Sequence, residues 1–154
     1  MKTIEFLTYL TEHQIDGLFE AARALPADKL AWKPAPGARS ALDQLQEVAT
    51  APAWFTDTHK KRKMEFDMEA FQKWREERSK ITDIDELEKL CRANMRTYLD
   101  SIKDLDEAEL GDKYEMPFPG EFKLADILTY HFWNISYHEG QINYIQTLYG
   151  DWSD

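Results

Sequence analysis

Apolar residues recur at helical spacing over most of the chain. Leu7, Leu10, Leu18 and Leu25 mark a first helix from Ile4 to Leu25, which Pro26 ends because it has no N–H to donate. Ser40-Ala41-Leu42-Asp43 resembles a capping box with Asp43 at the third helical position. It opens a second helix with a stripe of Ala41, Leu45, Val48 and Phe55, predicted to run to about Lys63 with a kink or broken turn at Pro52. A third long helix starts near Thr82 or Asp83 and carries Ile84, Leu87, Cys91, Met95, Tyr98, Ile102 and Leu105. The fourth runs from Leu124 to Gly150, a residue suited to a left-handed C-cap. A shorter, highly charged helix, Met68–Ser79, bridges the second and third. No segment alternates with the strand period. The pattern predicts an all-α fold: a four-helix bundle of up-and-down type with a short extra helix between helices 2 and 3.

Two turns repeat each other. Lys33-Pro34-Ala35-Pro36-Gly37 precedes the second long helix and Met116-Pro117-Phe118-Pro119-Gly120 the fourth, each after an Asp-Lys pair (Asp28-Lys29, Asp112-Lys113). A two-fold pseudo-repeat would make these helices begin at the same end of the bundle and set Glu47 against Tyr130 or His131. The alternative is two similar Pro-Gly turns by chance.

Composition narrows the class. The 154 residues, 43% of them apolar and 13% aromatic, suffice for one domain, residues 1–154, with one core. A net charge of −10 repels phosphate backbones and anionic bilayers, so neither nucleic acid nor membrane is expected as a partner. No stretch approaches the ~20 consecutive apolar residues of a bilayer span, and Met1–Leu10 has no signal-peptide core. The single cysteine, Cys91, lies on an apolar stripe and reads as inert packing. These features point to the cytoplasm.

The last helix carries the most informative chemistry. His131, Asn134, His138 and Gln141, three or four residues apart, share one face where a buried stripe would ordinarily be apolar. Polar groups there must find partners or line a wet cavity, so the ladder is either a hydrogen-bonded layer or a pocket. On the second helix Glu47 shares a side with Ala51 and Trp54 and is a candidate carboxylate partner for His131 or His138. One carboxylate and two imidazoles can hold a divalent transition metal. His131 and His138 stand about 10 Å apart along a helix axis, however, so the natural i, i+4 pair is Asn134 with His138. His13 faces either the core or the pocket, His59 beside Lys60-Lys61-Arg62-Lys63 reads as solvated surface, and the tryptophans as core or lid aromatics. No phosphate-cradling loop, nucleophile elbow or His-Glu-x-x-His is present.

Ala31-Trp32-Lys33-Pro34-Ala35-Pro36-Gly37-Ala38-Arg39-Ser40 with Leu45 and Glu47-Val48-Ala49, then Tyr137-His138-Glu139-Gly140-Gln141-Ile142 and Leu148-Tyr149-Gly150, resemble the DinB/YfiT-like pattern. That resemblance implies a four-helix bundle with a divalent metal, zinc or nickel, held by one histidine on the second helix and two on the last. Carried over residue by residue, His138 matches a ligand. Glu47 and Asn134 stand where the other two histidines would be, and Tyr137 where the family often has a further His. The implied metal set is therefore Glu47, Asn134 and His138, with His131, Gln141, Trp54 and His13 lining the pocket and no catalytic residue assigned. Three functions stay open: a metal-dependent enzyme, hydrolase-like or thiol S-transferase-like; a non-catalytic bundle for a small-molecule ligand that has lost the metal; and a homodimeric interaction module.

Overall fold

A computed structural model describes residues 1–148. The expected helix end at Gly150, and Trp152, lie outside them. Its helices are α1 (Thr3–Arg23), α2 (Ala41–Thr50), α3 (Pro52–Phe55), α4 (Thr58–Lys61), α5 (Met68–Arg78), α6 (Ile84–Ile102) and α7 (Leu124–Thr147). This is the expected four-helix bundle, built on α1, α2 with α3, α6 and α7, and α5 is the expected short extra helix.

Each long helix buries one stripe. Ile4, Leu7, Ile15, Leu18 and Ala22 of α1 meet Leu87, Cys91, Met95, Tyr98 and Ile102 of α6 and Leu124, Leu128, Ile135 and Ile142 of α7 in one core. Asp83 starts α6 by accepting from the backbone N–H groups of Asp85 and Glu86 at 3.0 and 2.9 Å. Ser40 starts α2 the same way, its hydroxyl accepting from the Asp43 N–H at 3.1 Å. The other half of the expected capping box is missing, because the Asp43 carboxylate turns to Arg39 and Arg78 instead.

The second long helix does not run through to Lys63. It breaks at Pro52, which starts α3 as its first residue, and α4 ends at Arg62, a left-handed residue with φ 52°. The ring of Pro52 removes one ladder hydrogen bond and forces a new first turn. Two elements carry no period readable from sequence. They are a two-residue antiparallel hairpin, β1 (Lys113–Tyr114) with β2 (Phe122–Lys123), and a bridge from Lys63 to Glu115. Gly120 turns that hairpin at φ 148°, where a Cβ would stand 2.5 Å from the Phe122 ring.

Side-chain pairs fix the helix directions. Arg92 meets Asp16 and Arg96 meets Glu12, so α1 and α6 are antiparallel. Gln14 meets Glu139 and Gln146 donates to the Ala21 carbonyl, so α1 and α7 are parallel. Glu47 meets His138 and Phe55 stacks on Tyr130, so α2 and α3 run antiparallel to α7. Helices α2 and α7 therefore begin at opposite ends, and the pseudo-repeat is overturned: Glu47 lies level with His138, not with His131. Similar Pro-Gly turns set how the chain enters each helix, not the direction in which the helix leaves. Parallel α2 and α6 depart from the expected up-and-down order and require a long crossover, which the segment from α3 through α5 supplies.

Leu45 is wholly buried between α2 and the rest of the core. Leu45→Ala is expected to lower unfolding free energy by about 2–5 kcal/mol, read as a shift of the denaturant midpoint with unchanged slope.

Candidate functional site

The site forms where α2, α5 and α7 converge. From α7 comes His138, 2% exposed. Its Nδ1 lies 2.9 Å from Gln44 Oε1 and 3.0 Å from Gln141 Oε1, while Nε2 lies 3.3 Å from Glu47 Oε1. Both ring nitrogens thus face side-chain oxygens. Gln44 and Glu47, one turn apart on α2, present amide and carboxylate to the same ring.

The second oxygen of Glu47 is held by cations. Arg39 Nη1 stands 2.8 Å from Oε2 and Arg78 Nη1 3.5 Å from it. The same two arginines clamp Asp43, from Arg39 Nε at 2.6 Å and Arg78 Nη2 at 2.9 Å. Burial alone would raise the carboxyl of Glu47. The hydrogen bond to His138, with the attraction of Arg39, His138 and Arg78, outweighs it and holds the group down at about 2. Burial draws the Arg78 guanidinium down from its usual range, partly offset by Asp43 and Glu47. It stays cationic, since guanidinium titrates far above neutral pH.

Arg78 is the one buried residue of α5. Its guanidinium sits 4.4 Å over the Trp74 ring, and Trp74 Nε1 donates to Thr50 Oγ1 at 3.0 Å. A cation–π contact, an indole hydrogen bond and two ion pairs thus pin the bridging helix to α2.

A cleft of about 450 Å³ opens from this cluster, walled by Trp54, Phe55, Phe66, Phe71, Trp74 and Tyr130. A second hollow of about 610 Å³ adjoins it, sharing Phe55, Met64, Phe66 and Tyr130 and reaching to the hairpin turn at Pro117 and Phe118. Trp54, expected in the pocket, lines the first cleft.

The remaining candidates are placed elsewhere. Asn134 is buried but makes no hydrogen bond to Glu47 or His138. His131 is boxed by Phe55, Tyr98 and Tyr130 at ring separations of 4.8, 4.5 and 5.3 Å, and its Nε2 has no partner. Burial pushes this imidazole down to about 3, so it is a neutral core ring. His13 is exposed, stacks on Tyr9 and opens onto a separate groove beside Arg92 and Arg96. His59 is buried rather than solvated, and burial, then Lys60 and Arg62, lower its pKa.

Gln44, Arg39 and Arg78 escaped the sequence reading. Gln44 sits one turn before Glu47, a spacing that was legible, whereas nothing in the charged run around Arg78 separates it from its solvated neighbours.

The donor set does not fit the metal implied by the family pattern. Glu47 and His138 approach one another as two ligands of one ion could, but catalytic zinc takes three protein ligands. Among the described residues no group of three His, Cys, Asp or Glu side chains could hold an ion. Two guanidiniums against Glu47 would also repel a divalent cation.

This arrangement on a four-helix scaffold defines the class: an α-helical bundle with a polar site between helices and an apolar cleft beside it. The family model of the DinB family matches residues 1–151, and the chain belongs to that family. Solved structures of the same fold include YfiT from Bacillus subtilis, described as "a probable metal-dependent hydrolase with an unusual four-helix bundle topology". It is 14% identical, with a TM-score of 0.78 over 99% of this chain and 91% of that one. The colibactin self-resistance protein ClbS, solved in complex with dsDNA, is 13% identical with a TM-score of 0.67, over 94% of this chain and 95% of that one. The mycothiol-dependent maleylpyruvate isomerase is 10% identical with a TM-score of 0.65, and the match spans 92% of this chain but 61% of that one. Comparison with curated protein sequences finds no match.

Acid titration should resolve buried His131 and half-buried Glu47. His131 falls from its usual 6.5 to about 3 on folding, so the unfolded chain takes up a proton that the native one refuses. Its contribution is full above 6.5 and is lost as pH falls toward 3, at up to about 1.4 kcal/mol per pH unit. Glu47 falls from 4.5 to about 2, so its contribution of about 3 kcal/mol is present above 4.5 and lost as pH falls through that window. Denaturant melts between pH 8 and 4 should show the first loss in the native protein. His131→Phe should flatten the curve between pH 6.5 and 4.5, and an unchanged curve would disprove the neutral-histidine assignment. Glu47→Ala leaves Arg39, Arg78 and His138 facing no carboxylate at that point, and is expected to cost about 3 kcal/mol at pH 7.

Proposed function

We propose that this DinB-family chain is a small-molecule-binding bundle whose site works without a metal ion. The observation that carries this is the pair of guanidiniums on Glu47: positive charge that a cation would bring to the carboxylate comes from Arg39 and Arg78. With that charge in place, His138 is a hydrogen-bonded orienting group for Gln44, Gln141 and Glu47. The aromatic cleft beside the cluster is the ligand chamber, since such sites are mostly apolar with a few placed polar groups.

A metal-dependent reading draws support from YfiT, whose description names metal dependence. On this chain it requires Glu47, Asn134 and His138 to share zinc or nickel, with hydrolase-like or thiol S-transferase-like chemistry following. Arg39 and Arg78 would then have to leave Glu47. DNA binding, described for ClbS, meets a net charge of −10 here, which works against it. No helix among the described residues is long and apolar enough to cross a membrane, and a cytoplasmic location is part of the proposal. So is a homodimer, which the exposed stripe Trp133, Tyr137 and Tyr144 on α7, continued by Leu148 just after it, supports.

Elemental analysis of protein purified without a metal column separates the two site readings. The metal-free reading expects substoichiometric metal, no rise in melting temperature on adding zinc or nickel, and no change in either result in His138→Ala. Stoichiometric metal that raises the melting temperature and is lost in His138→Ala would overturn it.

A further inference from the structure

The cleft is asymmetric in charge, and that asymmetry selects a ligand. Four charged groups at its inner end cancel: Arg39 and Arg78 against Asp43 and Glu47. One of the two indoles in the cleft, Trp74, is already covered by the Arg78 guanidinium. On α5 the residues Phe71, Trp74, Arg75 and Arg78 follow helical spacing and all line the cleft. Arg75 among them has no carboxylate within ion-pair distance among the described residues. Glu65 on the rim is answered by Lys63 at 3.4 Å, and Asp126 in the second hollow accepts from the backbone N–H that opens α7. Arg75 is thus the cation of the cleft left without a counter-ion. Beyond it, the shared wall of Phe55, Met64, Phe66 and Tyr130 carries the chamber into the second, largely apolar hollow toward Pro117 and Phe118.

We infer that the ligand is an amphiphilic carboxylate: an anionic head on Arg75 and an extended apolar body laid through both hollows. The inference rests on the metal-free ligand chamber proposed above. The guanidinium offers a planar fork suited to a carboxylate. Physiological salt screens charges more than ~8 Å away, so the groups lining the cleft govern the head group. An apolar body gains in proportion to the carbon it removes from water.

The test is titration of the full chain with decanoate, decanol and decyltrimethylammonium at physiological salt, followed by the fluorescence of Trp54 and Trp74 and by calorimetry. Decanoate should bind best, and affinity along the hexanoate-to-dodecanoate series should rise about three- to fourfold per methylene. Arg75→Gln, an exposed position that leaves the core untouched, should weaken decanoate about tenfold and leave decanol unchanged. Met116→Trp, which fills the second hollow, should weaken dodecanoate far more than hexanoate. Decanol or the ammonium binding as tightly as decanoate, or decanoate indifferent to Arg75→Gln, overturns the head-group assignment while the chamber stands. No binding by any probe, together with stoichiometric metal on the native protein, overturns both the inference and the reading beneath it.

Discussion

The ion pair between Arg78 and the α2 carboxylates organises this bundle around its site. A charged helix of low apolar content has little reason to pack, and α5 buries one residue. That residue is a cation, and leaving water costs it several kcal/mol unless acceptors meet it. Asp43, Glu47 and the face of Trp74 do so, while Trp74 hydrogen-bonds Thr50 on α2. The crossover demanded by parallel α2 and α6 is thereby converted from a loose connection into one wall of a cleft.

The same contact decides what the site can do. A carboxylate and an imidazole 3.3 Å apart are poised for either of two fates, a shared ion or a shared hydrogen bond. Guanidiniums on the far carboxylate oxygen favour the second, because they supply the opposite charge and oppose a divalent cation approaching the same group. Among proteins of similar fold, descriptions range from "a probable metal-dependent hydrolase" to a mycothiol-dependent isomerase and a self-resistance protein in complex with dsDNA. The scaffold does not choose among such roles; side chains at the junction of its helices do.

Two histidines on one helix show how environment divides identical chemistry. His131 and His138 are equally buried and lie two turns apart on the same face. Around His131 are three aromatic rings and no acceptor for Nε2, so the ring is neutral and serves as packing. Around His138 are three oxygens from two helices, so the ring becomes the hub of a polar network. Asn134 between them is buried without joining that network.

The sequence alone determined the helices, their buried stripes, the stop at Pro26, the interruption at Pro52, and the polar ladder on α7 with Glu47 as its counterpart. These follow from short-range rules: spacing along one helix settles which residues share a face, and proline acts on its own turn. Helix direction was beyond its reach, since matching Pro-Gly turns describe a chain locally while parallel and antiparallel packing depend on where a crossover returns. Local spacing was equally unable to separate His131 from His138 or to pick Arg78 out of a charged helix. Whether an imidazole is neutral or hydrogen-bonded, and whether an arginine is solvated or buried on a carboxylate, is decided by atoms brought from other elements. Only tertiary structure supplies those neighbours, because desolvation and charge act through space rather than along the chain.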